Sequence, residues 1–192
     1  MSTPVLHVLA GPNGSGKSTF VREVLQPVTR LPFVNADELA AQRWPGAELE
    51  HAYAASQAAA ALRDDAIAER RSFITETVFS HPSKVDLVER ATTAGFLVAL
   101  HVMLIPVELA VLRVDHRVAT GGHAVPEAKI RERFDRLWSL VSAARVTADR
   151  TTFYDNSRAA TPFVPVARFE RGRPVGDAAW PRWAPPLLAA AA

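Results

Sequence analysis

A glycine-rich loop between an apolar run and a helix-like pattern constrains this chain more than any other feature. Residues 5–24 read VLHVLAGPNGSGKSTFVREV, in which Gly11, Gly16, Lys17 and Ser18 hold the spacing G-x-x-x-x-G-K-S. That spacing is the phosphate-binding P-loop, and the context it requires, a strand before and a helix after, is present. Gly11, Gly14 and Gly16 let backbone N–H groups turn inward around an anion, at the positive end of the following helix. Pro12, Asn13, Ser15 and Thr19 complete the cradle. Lys17 brings a point charge to the outer phosphates, and the Ser18 hydroxyl is a candidate ligand for Mg²⁺. A glycine turn beside an exposed lysine accounts for a bare G-K-S, not for the full motif between strand and helix. The cradle therefore reads as a site for ATP or GTP with Mg²⁺.

Short apolar runs alternate with helical patterns along the rest of the chain. Strands are expected near residues 4–10, 31–35, 72–77, 96–104, 151–155 and 163–169, and helices near 17–25, 48–71, 83–94, 107–118 and 126–147. Ser83 with Asp86 reads as a capping pair, Gly95 as a helix stop and Pro126 as a first-turn proline. This alternation predicts an α/β fold: a mainly parallel sheet between two helical layers, the three-layer arrangement of a P-loop NTPase, with a lid segment as in small kinases. A length of 192 residues, 48% of them hydrophobic, suits one domain over 1–192. Residues 174–192 form a tail rich in Pro, Trp and Ala, where prolines forbid regular structure. Trp180 and Trp183 either fold back on the core, the favoured option, or mark a surface for another protein.

Composition excludes several classes. Without cysteine there is neither a disulfide nor a thiolate metal site. No apolar run reaches membrane-spanning length and the first residues do not form a signal peptide, so a cytoplasmic protein is expected. The net charge of +2, with a pI near 9.4, comes from scattered arginines rather than a basic groove interleaved with aromatics, which argues against a nucleic-acid partner. A guanine-reading N-K-x-D and an L-S-G-G-Q signature are both missing, which disfavours GTPases and ABC-type ATPases.

Three further segments carry chemistry. In LPFVNADELA, an apolar run delivers Asp37 about twenty residues after Lys17. The carboxyl ends of neighbouring parallel strands lie together, so Asp37 is expected at the γ-phosphate, as a base or holding Mg²⁺ through water; its alternative role is the N-cap of a short helix. In RSFITETVFS, the triplet Thr75-Glu76-Thr77 is costly in a buried strand unless it meets polar groups. Glu76 can accept substrate hydroxyls and Thr77 can donate to a phosphate or to Glu76; the alternative is a strand end emerging into solvent. In LRVDHRVATGGHAVPEAKIRERF, Arg113 and Arg117 stand at i and i+4 before a Gly-Gly hinge, with His123 in the loop and Arg131 and Arg133 beyond it. Such a segment can close over a nucleotide and clamp its phosphates, or simply carry surface pairs. His123 is either a substrate contact or an ordinary loop residue.

The ordered set GPNGSGKST, VNADE, ITETVFS, LHVMLIPVELAVLRVDHRV and GGHAVPEAKI, spanning roughly residues 4–157, resembles the zeta-toxin family of P-loop kinases, especially its short members. The characterised zeta toxins phosphorylate a sugar hydroxyl of UDP-N-acetylglucosamine with ATP or GTP, and a small antitoxin covers their nucleotide site. The resemblance implies that Lys17 and Ser18 hold nucleotide and Mg²⁺, Asp37 is the general base, Glu76 binds the acceptor and Arg117 stabilises the transferring phosphate. The family's second catalytic arginine falls on His123, which leaves Arg131 or Arg133 in the next helix as substitutes; Arg133, Arg113 and Thr77 join the acceptor side. The leading expectation is a kinase of a small metabolite, such as a nucleotide sugar. The rival is an NTP-hydrolysing module that binds a protein or nucleic acid without phosphorylating a small molecule.

Overall fold

A seven-stranded sheet organises the molecule, as seen in a computed structural model that describes residues 2–119 and 125–190. The strands are β1 (Val5–Ala10), β2 (Phe33–Val34), β3 (Phe73–Thr77), β4 (Leu97–Leu104), β5 (Arg150–Asp155), β6 (Val164–Glu170) and β7 (Arg173–Pro174), in the order β2-β3-β1-β4-β5-β6-β7. The first five are parallel, and β6 and β7 add antiparallel at one edge. The chain therefore runs outward from β1 in one direction through β3 to β2, and in the other through β4. Ligands of open parallel sheets bind at such a reversal, beyond the carboxyl ends of the strands. Register sets what meets there: Ala10 lies beside Thr77 and Val102, and Val34 beside Thr75. Gly11, Asn35, Glu76 and Thr77 thus reach one edge together.

The two faces of the sheet are covered unequally. On one, Leu6, Val8, Phe73, Leu100, Val102 and Phe153 form the main core with α4 (Ala52–Ala68), α5 (Ser83–Thr93) and α7 (Glu127–Thr147). On the other, Leu9, Ile74 and Met103 meet a continuous helical stretch: α1 (Lys17–Phe20), a π-helical turn (Val21–Leu25) and α2 (Gln26–Thr29). Two further helices frame the strand ends, α3 (Ala36–Arg43) and α6 (Val107–Ala119), and α6 packs Ala110, Val111 and Val114 against Ile130 of α7.

Several expectations are corrected by local chemistry. The helix expected from residue 48 begins at Ala52, because Trp44 and His51 stack at 4.6 Å across the turn before it. Ser83 is not a cap: Pro82 holds that position, and the Ser83 hydroxyl is hydrogen-bonded to Nδ1 of His81. Pro126 is the N-cap of α7 rather than its first residue, with ψ 136° and its carbonyl accepting from the Ile130 N–H. Gly95 does end α5, its φ of +79° letting the Phe96 N–H reach back to the Ala91 carbonyl. The tail is not wholly irregular, since α8 (Pro186–Ala190) starts on a proline, where the missing N–H costs nothing. Trp180 folds back edge-on to Phe153 at 5.0 Å, and Leu188 is buried with its carbonyl accepting from Arg145. Trp183 remains 36% exposed.

Beneath α1 lies a polar row inside the apolar layer. His7 Nδ1 and His101 Nε2 are 3.0 Å apart, His101 Nδ1 is 3.3 Å from the Tyr154 hydroxyl, and Phe20 tilts over His101 and Tyr154. Burial, helped by the neighbouring His7, pushes His101 down to about 3. The unfolded chain takes up a proton near 6.5 that the fold refuses until about 3, so stability must fall as pH drops through that window. Urea unfolding at pH 7.5 and 5.5 is expected to show this loss, at up to about 1.4 kcal/mol per pH unit for one group. The difference between the two pH values should shrink in His101→Phe; an unchanged difference would show that other groups carry the acid sensitivity.

Candidate active site

The loop after β1 is held in shape from three sides. Gly11 has φ +147°, and a Cβ there would lie 2.7 Å from the Met103 carbonyl oxygen, so β4 admits only glycine. Gly16, at φ +86°, faces Asn156, whose Nδ2 would stand 2.4 Å from an added Cβ. That amide donates to the Ser15 carbonyl at 2.9 Å, and its oxygen accepts from the Phe163 N–H at 3.3 Å. On the remaining side α6 closes in, with an Arg113 guanidinium nitrogen 3.3 Å from the Gly14 carbonyl. Arg113 is thereby a brace of the loop as well as a cation near it.

Lys17 is 7% exposed and donates to the carbonyls of Gly11 and Pro12, each at 3.0 Å. Burial pulls its pKa down; Glu76 and Asp37 oppose that, while Arg117 adds to it. Among the described residues no carboxylate lies within ion-pair distance of the ammonium. A buried cation under such a loop is a strong anion receptor, because an arriving phosphate restores the stabilisation that burial removed. The Ser15 hydroxyl and the Asn13 side-chain oxygen are also buried with no hydrogen-bond partner among the described residues, so the cradle has polar capacity to spare. These features fit a nucleotide's phosphates.

A cleft of about 530 Å³ opens beside the loop. From the loop itself it is lined by Asn13, Gly14, Ser15, Gly16, Lys17, Ser18 and Thr19, while Gly11 and Pro12 lie behind as the carbonyls that hold Lys17. Asp37, Glu76, Thr77, Arg113, Arg117 and Arg133 also line it. His123 lies outside the described residues.

Local structure explains how the acidic groups arrive. Asp37 is not at a strand end, because β2 stops at Val34 and α3 begins at Ala36. The cap is Asn35, whose side-chain oxygen accepts from the N–H groups of Asp37, at 2.7 Å, and Glu38, at 3.4 Å. With that duty taken, the exposed Asp37 carboxylate is left to the cleft. The polar triplet of β3 is satisfied residue by residue: Thr75 donates to the Val34 carbonyl, Glu76 accepts from the Ser18 hydroxyl at 2.6 Å, and Thr77 accepts from the Phe79 N–H. Hydroxyl and carboxylate oxygens side by side suit Mg²⁺, which takes one or two carboxylates and completes its shell with phosphates and water. Among the described residues no cluster of three or more His, Asp or Glu side chains forms a self-sufficient metal cage.

The arginines separate. Arg131 is committed on the surface to Glu127 at 2.9 Å and Glu108 at 3.2 Å, whereas Arg133, half a turn on, lines the cleft. Sequence reasoning overlooked Asn35, Ser56, Arg63, Ser80 and Lys84 on the cleft wall, and Asn156 behind the loop. Asn35 had a signal, a cap residue just before an acidic first turn. Asn156 had none, because its partner is 141 residues away.

The zeta toxin family model matches residues 1–163. Among solved structures, the chain is similar to one of the PezAT chromosomal toxin-antitoxin system of Streptococcus pneumoniae, at TM-score 0.62 and 14% identity over 81% of this chain and 68% of that one. It is also similar to AvrRxo1-ORF1:-ORF2 with ATP, at TM-score 0.55 and 18% identity over 90% of this chain and 60% of that one. Shikimate kinase from Acinetobacter baumannii in complex with shikimate matches at TM-score 0.53 and 18% identity, over 82% and 87% of the two chains. No curated protein matches the chain.

Removing the brace behind the loop tests its importance. Asn156→Ala breaks one buried and one partly buried hydrogen bond, and is expected to cost about 1–3 kcal/mol of stability and to weaken nucleotide binding. Thermal melting and titration with a fluorescent ATP analogue measure the two; full nucleotide affinity in a folded variant would show that the loop needs no support from β5.

Proposed function

We propose, from the premise that this chain belongs to the zeta toxin family and has the P-loop kinase fold, that it transfers the γ-phosphoryl group of ATP or GTP to a hydroxyl of a small metabolite. A nucleotide sugar such as UDP-N-acetylglucosamine is the acceptor we favour. The observation that carries this reading is the buried Lys17 ammonium, lacking a carboxylate partner among the described residues, at one edge of the sheet with two acidic groups and three arginines.

In this reading the Asp37 carboxylate takes the proton of the acceptor hydroxyl as its oxygen bonds to the γ-phosphorus. The bond from that phosphorus to the β–γ bridging oxygen breaks, and its electron pair leaves with the nucleoside diphosphate. Lys17 and the loop N–H groups hold the phosphate oxygens, and Arg117 and Arg133 approach from α6 and α7, where charge shifts during transfer. Arg113 fixes Gly14 and so the loop. Ser18 and Glu76 would hold Mg²⁺, which when bound neutralises charge on the β- and γ-phosphates. Glu76 and Thr77 present oxygens to the acceptor. Thr19, exposed at the loop's outer end, reaches toward the nucleotide's inner phosphates. His123 belongs to the segment between α6 and α7, from which a substrate contact is proposed on sequence grounds alone.

Two further features of the proposal concern surroundings. The relative from S. pneumoniae belongs to a toxin-antitoxin system, which supports a small antitoxin protein as partner and toxicity as the outcome of activity. Among the described residues no helix is long and apolar enough to cross a membrane, which supports action in the cytoplasm, where ATP is available.

The experiment is incubation with ATP, Mg²⁺ and a cell metabolite extract, read by mass spectrometry for products heavier by one phosphoryl group. Lys17→Ala is expected to abolish product formation while circular dichroism stays unchanged. Asp37→Asn should still bind nucleotide but transfer ~10²–10⁴-fold more slowly, the usual loss of a general base. Hydrolysis of ATP without any phosphorylated metabolite would replace the kinase by an NTP-driven binding module.

Arg117 and Arg133 give a sharper test. Arg117→Ala is expected to lower kcat by up to ~10³-fold with a smaller change in nucleotide Kd, and Arg117→Lys to restore only part, since an ammonium lacks the guanidinium fork. Arg133→Ala should also lower kcat, whereas Arg131→Ala should not, because Arg131 is occupied by Glu108 and Glu127. Equal losses at Arg131 and Arg133 would overturn the division between them.

A further inference from the structure

The cleft holds a second set of cations that phosphoryl transfer does not use. Arg63 comes from α4 and Lys84 from the first turn of α5, the helices before and after β3. Both line the cleft, on the β3 side of the loop, whereas Arg113, Arg117 and Arg133 enter from α6 and α7 beyond β4. Arg63 shares a helical face with Ala52 and Ser56, which also line the cleft, so α4 turns a small, polar stripe toward it that ends in a guanidinium.

Neither cation has an ion pair of its own among the described residues. Asp64, the carboxylate that offsets Arg63, is itself paired with Arg90 at 2.8 Å, and Arg90 opposes Arg63 in turn. Lys84 forms no ion pair among the described residues, and the charge that acts on it is the repulsion of Arg63. Both are half-buried, and burial pulls both pKa values down. Two like charges that repel one another on a partly desolvated cleft wall are unfavourable unless a ligand supplies an anion.

Their place in the fold sets them with the acceptor groups. Arg63 and Lys84 come from the helices on either side of β3, the strand whose Glu76 and Thr77 line the same cleft.

We propose that Arg63 and Lys84 form an anion subsite that anchors the acceptor, so that the molecule phosphorylated is an alcohol carrying its own oxyanion, a phosphate ester or a carboxylate. This rests on the kinase reading of the cleft and narrows it. Ser56 and Ser80 line the same cleft and add hydroxyls to its wall. The Arg63 fork can take two oxygens at once while Lys84 acts as a point charge, an arrangement that suits a tetrahedral or planar oxyanion and gives a neutral sugar nothing to hold.

The test uses the full chain loaded with Mg²⁺ and the non-hydrolysable ATP analogue AMP-PNP, which fills the phosphate loop. Glycerol 3-phosphate, gluconate and glycerol are then titrated by calorimetry, as a phosphate ester, a carboxylate and a neutral alcohol. At least one anion is expected to bind and glycerol not. Which anion binds distinguishes the phosphate ester from the carboxylate. In Arg63→Gln/Lys84→Gln that binding should weaken at least ~10-fold, in the range of lost charge-assisted hydrogen bonds, while AMP-PNP affinity changes less than about twofold. Absence of binding by both anions, or equal binding by the double variant, overturns the subsite. The kinase reading fails separately: anion binding that depends on Arg63 and Lys84, with no phosphorylated product from a metabolite extract, would keep the subsite and remove the transfer. Phosphotransfer in which the double variant matches the parent at low acceptor concentration would do the reverse.

Discussion

The ammonium of Lys17, buried against two carbonyls of its own loop, is the interaction on which the rest of the site depends. A charge placed there is expensive, and the surrounding structure consists largely of arrangements that make it tolerable. The loop carbonyls satisfy two of its three donors. Glu76 and Asp37 lend field without contact, which leaves the ammonium available to an anion. Had either carboxylate closed to ion-pair distance, the site would be neutral and its affinity for phosphate lower.

Strand register then determines what chemistry surrounds that charge. Parallel pairing brings the ends of β1, β2 and β3 to one level: Gly11 and Asn35 follow directly on β1 and β2, and Glu76 and Thr77 are the last two residues of β3. Gly11 turns the loop, Asn35 caps α3, and Glu76 and Thr77 line the cleft. The same logic separates the cations: α6 and α7, which pack together through Ile130 and Val114, deliver their arginines from the β4 side, while α4 and α5 deliver theirs from beside β3. An acceptor bound between them would meet a carboxylate at its hydroxyl and a positive wall behind it.

Much of this was legible in the sequence, and the reasons differ by residue. The P-loop was readable because its glycines serve local backbone geometry, and local geometry leaves a fixed spacing. The five parallel strands were readable from apolar runs, as was the antiparallel β6, since sheet burial on two faces demands such runs. The zeta toxin assignment followed from several motifs in order. The short helix α3 was open only as the alternative role of Asp37, with the cap two residues too late, because two residues of strand and a capping Asn leave little periodicity to detect. Arg63 sits in an alanine-rich helix where nothing marks one arginine among its neighbours, and Lys84 looks like any first-turn lysine. Both become noticeable only when folding brings them to one wall. The choice between Arg131 and Arg133 likewise needed the positions of Glu108 and Glu127.

The clamps on the phosphate loop reach far along the chain, 99 residues from Gly14 to Arg113 and 141 from Ser15 to Asn156. Contacts of such separation form late, because their loop-closure entropy is repaid only after most of the chain has condensed. On a ribosome, the N-terminal motif would emerge first and wait for the β5 end to leave the exit tunnel before its glycines were locked into a cradle. The brace from Asn156 to the loop is therefore completed only once synthesis has passed residue 156.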